Sequence, residues 1–120
     1  MNKMQALHNF WSSFGLTAYE ETSVPDTAVL PYITYESSSD SFGANLAMTA
    51  SIWYRSTSWY NPTLMEMTIE NDIGRGGKLV KYDDGAFWIR KGIPWAQKMS
   101  DASDDMIRRI VLNVEIEFID

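Results

Sequence analysis

From Ile110 onward the even positions are Ile110, Leu112, Val114, Ile116 and Phe118, while Arg109, Val111, Asn113, Glu115 and Glu117 hold the odd ones. A period of two sends alternate side chains to opposite faces of a strand. The stretch 104–120 therefore predicts a central or near-central strand, apolar on one face, with strands on both flanks and helices over the apolar face. The same alternation runs through 44–55. Ala44, Leu46, Met48, Ala50, Ile52 and Tyr54 share one face, and Asn45, Ala47, Thr49, Ser51, Trp53 and Arg55 share the other. That is long for a strand, so it is expected to bend or to project beyond the sheet. Residues 30–36 are β-branched and aromatic, with Pro31 suited to a strand start or an edge. With 44–55 they predict a hairpin, joined by the polar run 37–41, and the segment 37–42 is expected to be mobile.

A helical period appears twice. In 2–14, Met4, Leu7, Trp11 and Phe14 line one stripe, Phe10 widens it and Gly15 ends it. His8 borders the stripe and reads as a helix-surface residue. The next segment, 16–29, predicts a loop wrapping the surface, with a turn at Val24, Pro25, Asp26 and Thr27. A second helix runs from 56–61 to Ile73. Ser56, Thr57 and Ser58 are N-cap candidates, and Asn61 before Pro62 is a competing start. Pro62, Met65, Ile69 and Ile73 make its core stripe, while Tyr60, Leu64 and Met67 make a second stripe on roughly the opposite side. One small domain needs one such stripe. The second lies either under the long loops or at a subunit interface.

Gly74 predicts a left-handed cap. The glycines at 74, 76 and 77 follow a helix C-terminus, whereas a phosphate cradle precedes an N-terminus. Residues 78–82 and 86–91 then predict a hairpin around Asp83, Asp84 and Gly85, whose tip is expected to be mobile. Gly92, Ile93 and Pro94 predict a turn, 95–99 a short strand, and 100–105 a solvated acidic turn. The predicted order is α-β-β-α-β-β-β-β, a single α+β domain over 1–120. Its two layers are a largely antiparallel sheet and two helices.

Composition narrows the function classes. The chain has 120 residues, room for one core. With no Cys and one His, disulfides, thiolate or His-based metal sites and Cys or His-triad catalysis lack their residues. No apolar run spans a membrane and no signal-peptide layout opens the chain, so a soluble protein of a reducing cytoplasm is expected. The net charge of −6 argues against a dedicated nucleic-acid binder. That charge is uneven: 74–98 carries six basic residues against Asp83 and Asp84, a local +4, which leaves −10 for the rest. Such polarity suits solvated faces, or a subunit that stacks on copies of itself or on a charged neighbour. Five Trp, six Tyr and five Phe exceed what one small core easily hides.

Catalytic patterns are wanting. No Gly-x-Ser-x-Gly elbow exists, and the adjacent acids Glu20 and Glu21, or Asp104 and Asp105, lack a cleft to tune them. The expectation is a binding or assembly protein, with no catalytic, cofactor-binding or metal-ligating residues.

Four segments carry a resemblance: LPYITYE at 30–36, SIWYRSTSW at 51–59, IGRGG at 73–77 and DMIRRI at 105–110. They resemble small proteins of the tail modules of long-tailed temperate phages and prophages of Gram-positive bacteria, most of all the tail terminator or tail-completion family. The likeness spans nearly the whole chain and rests on structural motifs. It implies a fold shared with tail-tube subunits and a homo-oligomeric ring, a hexamer. That ring would cap the tail tube, halt its polymerisation and present the tail to a head-tail connector or head-completion protein. It implies no cofactor, no reaction and no membrane. No specific nucleic acid is implied either, although DNA would pass through the ring. The protein would be found in the host cytoplasm during assembly and then in the virion tail. The expected assembly surface is Tyr60, Leu64 and Met67 with Arg75, Lys78, Lys81, Arg90 and Lys91. A head-completion or neck protein of the same virion is the alternative, followed by a small ligand-binding or enzymatic domain.

Overall fold

The computed structural model describes residues 1–39 and 43–120. Among them are two helices, α1 (Lys3–Ser12) and α2 (Tyr60–Ile73), and six strands. The strands are β1 (Thr17–Glu20), β2 (Tyr32–Tyr35), β3 (Asn45–Arg55), β4 (Lys78–Tyr82), β5 (Gly85–Ser100) and β6 (Ile107–Ile119). Across the sheet they run β1-β2-β3-β6-β5-β4. The result is a small α+β domain whose mixed sheet curls around its helices. β6 is the central strand that its alternation predicts: it pairs with β3 from Ile107 to Glu117 and with β5 from Arg108 to Ile119, antiparallel on both sides.

Ile110, Leu112, Val114, Ile116 and Phe118 are all buried on one face of β6, and the odd residues from Arg109 to Glu117 are half-buried on the other. Ile33, Ile52, Phe87 and Ile89 extend the buried face across the sheet, and Leu7, Phe10, Trp11, Ile69 and Ile73 cover it from the helices. Leu46, on the apolar face of 44–55, and Met65, on the expected core stripe of α2, lie partly buried at the core's margin. The curl follows from α1, which touches β1 and β4, the two opposite edges. Its Phe10 sets edge to face on Trp11, Phe14 and Phe87. Met4, expected on this stripe, is exposed instead, because the packed face centres on Ala6, Leu7, Phe10 and Trp11. Asn2 and Gln5 close a reciprocal capping box at the start of α1, each side chain accepting from the other's backbone N–H at 2.9 Å. Such caps contribute about 1 kcal/mol.

Three element assignments differ from expectation. Residues 16–29, expected to be loop, contain β1, which pairs in parallel with β2. Four residues with only Ala18 buried show too little alternation to be read from sequence. The turn at Gly92, Ile93 and Pro94 and the short strand after it belong to one strand, β5. Lys91 pairs with Val114 and Ala96 with Leu112, so β5 advances five residues while β6 advances two. The surplus is a bulge, not a turn. The observed order is thus α-β-β-β-α-β-β-β. In α2, Trp59 is the N-cap residue and makes no side-chain cap bond, while Ser58 Oγ accepts from Tyr60 N at 3.3 Å. Pro62 therefore sits inside the first turn instead of at the first helical position. Gly74 closes the helix at φ 78° and ψ 173°, outside the left-handed helical well.

Of the segment 37–42, residues 40–42 lie outside the described residues. The hairpin tip is tied to the chain's first residue, where Asp83 N donates to Met1 O at 2.9 Å and the Asp83 carboxylate pairs with the Met1 ammonium at 2.8 Å. At the other end of the sheet the acidic turn is ordered by its own carboxylates. Asp101 Oδ1 accepts from Ser103 N and Oγ, and Asp104 accepts from Met106 N and from Arg55. The Met106 amide first, and the Arg55 guanidinium second, hold the Asp104 pKa below the usual aspartate value. A depressed acid stabilises the folded state above its unfolded pKa and loses that contribution as pH falls through the folded one. An NMR titration should therefore place the Asp104 midpoint below that of an unperturbed aspartate, with Arg55→Ala moving it upward. A midpoint at or above the ordinary value would contradict the turn geometry.

Candidate assembly surface

α2 presents its two stripes in opposite directions. Pro62, Ile69 and Ile73 are buried. Tyr60, Leu64 and Met67 are 69%, 45% and 48% exposed. Residues three and four apart in a helix share a face, so these three side chains form one strip about two turns long. The long loops do not cover it.

The basic residues expected beside the strip are not gathered there. Lys78 pairs with Asp72 at 2.9 Å and Lys91 with Glu70 at 3.2 Å, both acids of α2 itself. Arg90 approaches Glu117 at 3.5 Å and Glu115 at 4.0 Å, and reaches Asn45 at 3.3 Å. It lies on the outer, helix-free face of the sheet, because neighbouring strand residues point to opposite sides. Among the described residues, Arg75 and Lys81 are the two members of the set without an ionic partner. Much of the local +4 is thus neutralised within the chain, which a sequence count cannot reveal.

Two aromatic sites border α2 that no single motif announced. Trp59 has Lys98 and Arg108 over its ring, at 5.4 and 5.5 Å from the centroid. Arg108 also donates through Nη1 to Asp105 O, while its Nε is buried without a hydrogen-bond partner. Trp95 Nε1 donates to Glu66 across to the helix. Between these residues lies a hollow of about 340 Å³ lined by Thr63, Glu66, Trp95, Ala96, Lys98 and Ile110. It opens along the flank of α2 next to the Tyr60, Leu64 and Met67 strip.

On the outer face the strand register sets Tyr32, Trp53 and Arg109 side by side. Arg109 stacks over Trp53 at 4.5 Å and its Nε donates to Ser51 Oγ at 3.1 Å, while Trp53 Nε1 donates to Thr34 Oγ1 at 2.9 Å. These bonds satisfy Ser51 and Thr34, two buried polar residues. The cleft beside them is about 410 Å³ and is bordered by Glu21, Thr22 and Val24. His8 does more than sit on a helix surface: its Nδ1 lies 2.9 Å from Tyr35 OH and its Nε2 lies 3.1 Å from Ser12 Oγ. The link fastens α1 to β2. Burial, and to a lesser degree the Glu20 carboxylate, raises the Tyr35 pKa, so the phenol stays protonated and available to this bond.

Fold and surface together define a small α+β domain with an unpartnered apolar strip on one helix. No helix among the described residues is long and apolar enough to cross a membrane. No family model and no curated protein matches the chain.

Proposed function

We propose that this chain is a structural subunit of a phage or prophage tail, a tail terminator that closes into a ring, caps the tube and joins it to the head. One observation carries the reading: Tyr60, Leu64 and Met67 face water on the side of α2 opposite the core. Contiguous exposed apolar residues beside half-exposed tryptophans suit an interface better than a solvated surface. The resemblance of 30–36, 51–59, 73–77 and 105–110 to tail-module proteins supplies the biological setting. The partners are then further copies of the chain, in a ring of six, with the tube subunit on one side and a head-completion protein on the other. A head-completion protein of the same virion would also form a ring, and is distinguished by failing to bind the end of a tail tube.

Light scattering behind size-exclusion chromatography, across protein concentration and with tube subunit added, tests this. A discrete closed oligomer that binds tube ends is expected. A monomer under every condition, or an open polymer of variable length, would overturn it.

A further inference from the structure

We infer that Ile93 and Pro94 of one subunit seat in the hollow between α2 and β5 of the next copy, head to tail. This rests on the ring reading above and adds which two surfaces meet. Ile93, at the tip of the β5 bulge, is 100% exposed. A lone exposed isoleucine is unremarkable on a protein surface, but this one stands on a built support. A Cβ at Gly92 would lie 3.0 Å from Asn113 O, so any larger residue there would push the bulge and β6 apart by a few tenths of an ångström. Asn113 Nδ2 then donates to Pro94 O at 2.9 Å and to Gln97 Oε1 at 3.2 Å. The knob's backbone is held before any partner arrives, which lowers the ordering cost of association.

Knob and hollow lie on opposite faces of the same strands. The knob rims a depression of the outer face with Ala47, Thr49 and Glu115, whereas Ile110, Ala96 and α2 line the hollow on the helix side. One molecule therefore cannot fill its own hollow, and a two-fold dimer cannot fill both at once. A head-to-tail contact uses each surface once per subunit and propagates from copy to copy, which gives a closed ring where the rotation per copy divides a full turn and an open filament otherwise. Charge agrees with this pairing. Glu115 borders the knob, its carboxylate held only loosely by Arg90 at 4.0 Å. Lys98 edges the hollow without a salt bridge among the described residues, while Glu66, the acid in the same lining, already accepts from Trp95 Nε1. Seating the knob brings Glu115 and Lys98 together. The hollow also flanks the Tyr60, Leu64 and Met67 strip, so both belong to one continuous contact.

The chain has no cysteine, so introduced thiols are the only ones present. Full-length Ile93→Cys and Thr63→Cys variants are mixed and oxidised with copper phenanthroline in air, at concentrations where the wild type assembles. The expected product is a disulfide dimer containing one of each. The double variant should give a ladder that stops at the size of the closed ring. Ile93→Cys cross-linking to itself, or no mixed dimer while the wild type still assembles, would overturn the knob-and-hollow contact and leave the ring standing. A wild type that never assembles would remove both. Ile93→Asp provides a second check: an unchanged melting temperature, with the concentration for half-assembly raised about tenfold or more. An unchanged assembly concentration would sink the inference.

Discussion

Leu112→Ala is expected to destabilise the folded domain by about 2–5 kcal/mol, in the upper part of that range. Leu112 is fully buried on β6, the central strand. Its cost depends on how far the surroundings can close over the lost atoms, and here they can do little. The residues beside it in register are Ala50 on β3 and Ala96 on β5, too small to fill the gap. Only the helical layer could settle inward, and α1 is held against both edge strands at once. For a domain of this size the melting temperature should fall by on the order of 10 °C or more. Thermal and urea unfolding followed by circular dichroism would measure it. Val111→Ala, on the half-buried outer face, provides the control and should cost clearly less. Equal losses at the two positions would mean that the strand does not distinguish its faces.

Leu64→Asp should act on assembly alone. In the monomer the side chain is 45% exposed, so a carboxylate there stays in water and folding stability should change by less than about 0.5 kcal/mol. In a subunit contact the same carboxylate would be buried without a partner, at a cost of several kcal/mol. The expected outcome is a folded monomer with wild-type melting behaviour that neither forms rings nor completes tails. Unfolding of the variant would place the strip in the core, and normal rings would take it out of the interface. Reversing Lys81 to Glu tests the charged surroundings more cleanly than reversing Lys78, since Lys78 is bound to Asp72 and its loss would also disturb the end of α2. A weakening by Lys81→Glu should shrink as salt rises, because exposed charges are screened over about 8 Å at physiological ionic strength. The apolar strip should respond little.

Sequence alone determined the buried face of β6, the β2–β3 and β4–β5 hairpins, both helices and the two-sidedness of α2. Each of these is written in a local period, two for strands and 3.6 for helices, which follows from backbone geometry and needs no partner to be legible. Tertiary structure decided the rest. β1 is a strand because β2 offers it hydrogen bonds, and four residues carry no period of their own. The break at Gly92, Ile93 and Pro94 is a bulge because β6 continues alongside it, and a turn and a bulge share the same Gly and Pro punctuation. The pairing of Lys78, Arg90 and Lys91 depends on acids up to 27 residues away, as Arg90 with Glu117 shows. The hollow beside α2 exists only because Trp95 and Ile110 reach it from two different strands. Local periods say which side of an element seeks the core; only the packed chain decides which charges are already answered and which apolar surface is left over for a neighbour.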